Sequence, residues 1–304
     1  MSRAALYDAT GGPEVLYVGE VADRAPRDGE VAIRVRAAGL NPFDAKVRSG
    51  FIPSDAPFPR RIGSDLAGTV DAVGAGATYW DGTPVQVGDE VLGSGPGSVA
   101  ERVVAPTRML VRRPDGLDVQ VAGGIHVAGL TAVSCLATVP VGAGDTVLVG
   151  GASGAVGLVA CQLAIQAGAR VIGTASSANH DFLRSVGVEP VAYGEGLADR
   201  VAALGTPTAV IDCHGRDALD AGVALGVSVD RMVAIAGYTA VEELGVHNVE
   251  RAARTPENLA KLAAQIAAGS IVLPVVGSYA LDDVAQAFAA LESSHAPGKI
   301  VVTP

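Results

Sequence analysis

Thr146-Val147-Leu148-Val149-Gly150-Gly151-Ala152-Ser153-Gly154-Ala155-Val156-Gly157 is the stretch that decides the fold. A short β-branched run leads into a glycine turn, and an apolar-periodic segment follows. Val156, Val159, Ala160, Leu163, Ala164 and Ala167 recur at helical spacing, and Gly168 supplies a stop. Strand, glycine turn and helix in that order suit a dinucleotide pyrophosphate. Glycines let the backbone come close, and the N–H groups and dipole at the helix start attract phosphate. The match is A-x-G-x-x-G on Ala152, Gly154 and Gly157, with Gly151 in front, rather than a strict G-x-G-x-x-G. Taken alone it also fits an ordinary strand-to-helix turn, so its surroundings carry the argument.

Outward from this stretch, strand runs at 146–150, 171–174, 208–212 and 231–235 alternate with helical patterns. That rhythm, beginning near residue 119, predicts a doubly wound parallel sheet. A later helix has Thr255 as N-cap, Pro256 at its first position and Gly269 after its last turn. Before residue 118 the chain instead alternates polar and apolar residues, as in Glu30-Val31-Ala32-Ile33-Arg34-Val35-Arg36-Ala37, between turn clusters. The glycines at 93–97 surround a proline with no helical period behind them, and read as a barrel loop rather than a phosphate site. The chain closes with an apolar stretch near 271–276, a helix carrying Val284, Phe288 and Leu291, and a last strand from Lys299.

Composition narrows the function. The 304 residues suffice for two domains, and a net charge of −10 argues against nucleic acid or an anionic membrane as partner. No apolar run reaches membrane-spanning length, and the N-terminus has no signal-peptide core, so a cytoplasmic protein is expected. Cys135, Cys161 and Cys213 are far apart with no C-x-x-C, and read as small buried residues in a reducing compartment.

The end of the second parallel strand selects the nicotinamide cofactor. An NAD site places a carboxylate there for the ribose hydroxyls. Here Val171-Ile172-Gly173-Thr174-Ala175-Ser176-Ser177-Ala178-Asn179-His180 holds none before Asp181. Small hydroxyls on Ser176 and Ser177 and a potential cation in His180 favour the 2′-phosphate of NADP(H). The two serines also suit a helix N-cap, and both roles are compatible.

Further segments extend the pattern: Ala37-Ala38-Gly39-Leu40-Asn41-Pro42-Phe43-Asp44-Ala45-Lys46-Val47-Arg48-Ser49-Gly50, Gly63-Ser64-Asp65-Leu66-Ala67-Gly68, Val87-Gly88-Asp89-Glu90-Val91, Ala128-Gly129-Leu130-Thr131-Ala132 and Gly298-Lys299-Ile300-Val301. With these, the whole chain resembles the zinc-independent, zeta-crystallin-like quinone oxidoreductases of the medium-chain dehydrogenase/reductase superfamily. The resemblance implies an α/β protein in which a GroES-like β-barrel catalytic domain (1–118 and 270–304) receives a Rossmann doubly wound parallel sheet (119–269). It also implies an active site in the cleft between them and a homodimer joined through the Rossmann sheet edge.

Metal chemistry needs thiolate and imidazole ligands at an open site. Where the alcohol-dehydrogenase branch carries its first cysteine this chain has Asn41, and where that branch has His-Glu it has Ser64-Asp65. No metal is expected. Such an enzyme delivers hydride from NADPH to an acceptor that is already electron-poor, a quinone or an α,β-unsaturated carbonyl, and stabilises the oxygen where charge develops. Asn41, Asp44 and Lys46 are the catalytic candidates: Asn41 as a donor to the oxyanion, Lys46 as a stabiliser or proton relay, Asp44 orienting either. Relatives often have tyrosine in place of Lys46. The cofactor set is Thr131 near the carboxamide, Gly151, Ala152, Ser153, Gly154, Ala155, Val156 and Gly157 at the pyrophosphate, Ser176, Ser177 and His180 at the 2′-phosphate, Tyr193 by the adenosine, and Gly237 and Tyr238 beside the nicotinamide. Phe51 and Ile52 are expected at a pocket for a small apolar or aromatic substrate. His180 stands where relatives commonly carry lysine, so NADPH affinity should rise as pH falls. Two alternatives stay open: a pathway-specific enoyl reductase of secondary metabolism, and an NADPH-binding protein without catalysis.

Overall fold

A computed structural model describes residues 1–293 and 297–304, with the side chain of Tyr238 outside the description. Six parallel strands form one sheet in the spatial order Glu189–Val191, Arg170–Thr174, Thr146–Gly150, Ala209–Asp212, Met232–Ala234, His247–Asn248. Thr146–Gly150 lies near the middle because Val147, Leu148 and Val149 are apolar without alternation, and all are fully buried between helical layers. From it the chain builds outward to Glu189–Val191, then crosses back to Ala209–Asp212 on its other side. That reversal opens a crevice at the carboxyl ends of two neighbouring strands. Glu189–Val191 and His247–Asn248 are too short to show a period in the sequence, and the sequence reading did not find them.

The second body is antiparallel except where Val275–Ala280 runs parallel to Lys299–Thr303. Its main sheet runs Val275–Ala280, Lys299–Thr303, Glu30–Gly39, Asp65–Val73, Glu90–Ser94, Leu110–Arg112, and Arg102–Pro106 also pairs with Glu30–Gly39. A smaller sheet joins Tyr17–Val21, Ser2–Tyr7 and Arg60–Arg61. Barrel residues from Ala4 to Leu110 share an apolar core with Leu281, Val284, Phe288, Ile300 and Val302, so the end of the chain packs into the barrel. Separate cores flank the parallel sheet. This is a GroES-like barrel with a Rossmann-type sheet, as the resemblance implied.

Junctions set the geometry of the cleft. Val301 and Val302 pair antiparallel with Gly39 and Ala38, and Gly154 of the glycine turn forms an isolated bridge with Gly298. Gly298 has a φ of +126°, and a Cβ there would lie 2.2 Å from the Pro274 carbonyl oxygen, so only glycine lets the last strand enter beside the turn. Among the described residues, no helix is long and apolar enough to cross a membrane.

Candidate active site

A cleft of about 1000 Å³ runs between the glycine turn, the ends of Thr146–Gly150 and Ala209–Asp212, and the barrel residues around Asn41 and Lys299. The turn is tightly built. Gly151 has a φ of +66°, and a Cβ on Gly157 would lie 2.2 Å from the Gly151 carbonyl oxygen. The turn therefore sits directly on the start of the helix Ala155–Gln166, which has no side-chain cap. Its first N–H groups have no intrahelical partner and are free for an anionic ligand. Gly154 would meet only the Gly151 oxygen, at 3.4 Å, so its cleft side is open to a phosphate.

Polar side chains brace this cradle. Thr174 Oγ1 accepts the Gly151 N–H at 2.9 Å, and Asn179 Nδ2 donates to Ser153 Oγ at 3.2 Å. Asp212, buried at the end of its strand, accepts the N–H groups of His214 and Gly215 at 2.9 and 2.8 Å. At the end of Arg170–Thr174 the cleft wall is Thr174, Ala175, Ser176 and Asn179, with no carboxylate. These residues fit a dinucleotide with a phosphorylated ribose.

The barrel wall carries a buried polar cluster. Glu30–Gly39 ends where the Gly39 N–H reaches the Gly123 carbonyl, and Asn41-Pro42 then starts the helix Pro42–Arg48. An extended residue before proline, with proline at the first helical position, is the sterically favoured entry. Asp44 accepts the Asn41 backbone N–H at 3.0 Å through one oxygen and the Ser64 hydroxyl at 2.9 Å through the other. Burial and then the neighbouring Asp65 raise its carboxyl to about 6, against the pull of Ser64, Lys299 and the Asn41 N–H. Lys299, 3% exposed, donates to the Leu40 carbonyl and to Asn41 Oδ1, each at 2.7 Å, and lies 3.5 Å from Asp65 Oδ2. The other oxygen of Asp65 accepts the Val127 N–H at 3.0 Å. His126 Nδ1 stands 3.8 Å from it, and burial pushes that imidazole toward its neutral form.

Of the residues expected from the sequence, Asn41, Lys46, Gly151, Ser153, Gly154, Ala155, Val156, Gly157, Ser176 and Tyr193 line this one cleft. Asp44 and Ala152 are buried directly behind it. Others stand apart from the lining. Thr131 is buried with its hydroxyl accepting from Arg254 at 3.3 Å. Ser177 is exposed, and His180 lies with Nε2 3.3 Å from the Ala175 carbonyl oxygen. Gly237 abuts Gly215, which does line the cleft, and the Tyr238 side chain is outside the described residues. Phe51 is exposed on the turn after the Asn41 helix, 5.8 Å from Lys46 Nζ, and Ile52 donates its N–H to the Lys46 carbonyl. The sequence reading missed Lys299, Asp65, Asn179 and Asp212 as site residues. Gly298-Lys299 stood out as a closing motif, but only the sheet pairing shows where its amine goes.

The alcohol dehydrogenase GroES-like domain pattern matches residues 27–115, and the zinc-binding dehydrogenase pattern matches 192–302. A quinone oxidoreductase of Pseudomonas aeruginosa is 34% identical, with all of both chains covered. This chain belongs to the quinone oxidoreductase family. An NADPH-dependent alkenal/one oxidoreductase of Arabidopsis thaliana is 32% identical over 99% of this chain and 79% of that protein. Among solved structures, a Coxiella burnetii quinone oxidoreductase superposes with a TM-score of 0.87 at 28% identity, covering 100% of this chain and 99% of the other. A mycobacterial protein complexed with NADPH gives 0.86 at 32% identity over the whole of both chains. Despite the name of the second pattern, the described residues contain no group of three or more histidine, cysteine or acidic side chains placed to hold a metal.

Proposed function

We propose that this chain is an NADPH-dependent reductase of quinones and α,β-unsaturated carbonyl compounds that works without zinc. The observation that carries it is the cleft itself, where an uncapped helix start behind a glycine turn faces a buried, amide-bearing polar cluster. The glycine turn and the first N–H groups of Ala155–Gln166 would hold the pyrophosphate, and Ser176 and Asn179 the 2′-phosphate side, with Ser177, His180 and Tyr193 at its margin. Thr131, Gly237 and Tyr238 are assigned to the nicotinamide end by family likeness. Bound NADPH supplies a hydride.

The chain's own residues do the rest. The Asn41 amide donates a hydrogen bond to the acceptor oxygen as negative charge gathers there. Asp44 fixes the Asn41 backbone and, through Ser64, the helix that presents Lys46. Lys46 lines the cleft and adds positive potential near the reacting oxygen. Because a quinone or enone is already polarised, one neutral donor and a nearby cation suffice where an alcohol would need a stronger Lewis acid.

We assign the barrel to residues 1–118 and 270–304 and the nucleotide-binding unit to 119–269. A homodimer through the strand His247–Asn248, which pairs on one side with Met232–Ala234, is part of the same reading, as is a cytoplasmic location. Sedimentation tests the first. The function is tested by NADPH oxidation with a panel of quinones and conjugated enones, with and without EDTA. Chelator-insensitive turnover supports it. Saturable NADPH binding with no turnover on any acceptor sinks it, and loss of turnover in EDTA sinks the metal-free part.

A further inference from the structure

We propose that Lys299 is a positioning residue for this reaction: its ammonium fixes which way the Asn41 amide faces, so that the Nδ2 hydrogens and not Oδ1 meet the substrate oxygen. The inference rests on the reductase reading above, and it assigns a task to the one buried cation in the cluster that this reading leaves unused.

Asparagine is ambiguous by design, since its two ends have nearly the same shape and opposite hydrogen-bonding character. An amide free to flip would present its oxygen to a developing oxyanion half the time and repel it. Lys299 removes that freedom. Its Nζ lies 2.7 Å from Asn41 Oδ1, and the flipped amide would set two N–H donors against each other at that distance. Asn41 Nδ2 makes a single long contact, 3.4 Å to the Gly39 carbonyl, which leaves a hydrogen for the cleft that Asn41 lines. The ammonium also pulls charge toward Oδ1, which makes the Nδ2 hydrogens stronger donors.

Lys299 is held from three directions. It donates to the Leu40 carbonyl and to Asn41 Oδ1, and its third neighbour is the Asp65 carboxylate, an ion-pair contact at 3.5 Å rather than a hydrogen bond. Asp65 is fully buried, its Oδ2 has no hydrogen-bond partner, and the Lys299 amine is the group that faces it, at 3.5 Å. The arrangement is a fixed cation held by a fixed anion, with an amide clamped against it.

The test separates this role from simple charge balance. Lys299→Met alone would leave Asp65 buried and unpaired, and a folding defect would follow. The informative pair is therefore Asp65→Asn against Asp65→Asn/Lys299→Met, with folding checked by circular dichroism. The expected result is a further ~10–100-fold loss of kcat on removing the lysine, at or below the low end of losing a whole oriented donor, with the Kd for NADPH held within about twofold. Lys299→Arg should recover part of the loss. In an Asn41→Ala background the same lysine change should cost almost nothing, because the lysine acts through the amide. Equal kcat for the Asp65→Asn pair, or an undiminished loss in the Asn41→Ala background, overturns the proposal. If the wild-type protein itself turns over no acceptor, the reductase reading fails and the orientation is still measurable. The Asn41 side-chain amide resonance in a 15N spectrum should move when Lys299 is replaced, and an unmoved resonance overturns the inference.

Discussion

At the scale of single residues, Asn41 and Gly157 carry the clearest consequences. Asn41 lines the cleft with its oxygen already engaged, so its remaining function is as a donor. Asn41→Ala is expected to lower kcat by roughly 100-fold while leaving NADPH affinity within about twofold. A matching loss of cofactor affinity in a binding titration would refute that division of labour. Gly157→Ala should act the other way round. Its methyl would collide with the Gly151 carbonyl, so the turn must shift off the helix start that receives the pyrophosphate. We expect NADPH binding to weaken by at least about tenfold, a modest loss for a displaced phosphate site, and unchanged affinity by fluorescence titration would show the turn is not the cradle. Sequence reading found both residues because their chemistry is local: a glycine needed for close approach, and an amide at a helix entrance. It could not find Lys299, whose amine meets residues more than 250 positions earlier.

At the scale of elements, the helix Pro42–Arg48 shows how secondary structure delivers function. Its start is tied by the Asp44 carboxylate to the Asn41 N–H and to Ser64, so the element holding Lys46 is anchored at the end nearest the cleft. That anchor titrates. The folded Asp44 carboxyl, near 6, lies above its ordinary value of 3.8, because burial and Asp65 disfavour the anion. In this window the native state binds more protons than the unfolded chain, so stability falls as pH rises from about 4 to 6 and levels off above. The contribution is on the order of 2–3 kcal/mol. Asp44→Asn should flatten the change in Tm across that window in a calorimetric series, and a slope equal to that of wild type would place the titration elsewhere. Periodicity made the central strands of the parallel sheet legible to within a residue or so. It could not show Glu189–Val191 or His247–Asn248, since three and two residues give the alternation no room to appear.

At the scale of the whole molecule, the cleft exists because two sheets built on different rules meet at one line. The parallel sheet presents strand ends and a glycine turn, the barrel presents a polar pocket, and Gly154 pairs with Gly298 where they join. His180 stands at the margin of the proposed 2′-phosphate site, with Nε2 3.3 Å from the Ala175 carbonyl. A contact from this imidazole to the cofactor would show as weaker NADPH binding once the ring is removed. His180→Ala is therefore expected to raise the Kd for NADPH, and an unchanged Kd in a binding titration would leave the 2′-phosphate to Ser176 and Asn179. The composition and the run of motifs were enough for the two-body architecture. Which residues face each other across the seam was not legible, because contacts between distant segments leave no spacing in either one.

One feature of the barrel sheet bears on how the protein is made. Lys299–Thr303 lies inside that sheet, between Val275–Ala280 and Glu30–Gly39, and is not at its edge. A ribosome adds those residues after the other strands of this sheet. Throughout translation the emerging barrel therefore keeps an open seam along part of Glu30–Gly39, a strand edge able to pair with other chains. The Asn41 amide stays unclamped for the same period. Completing the sheet and arming the site are thus a single late event, and a chain interrupted upstream of Gly298 would carry most of the fold, an aggregation-prone seam and no oriented donor.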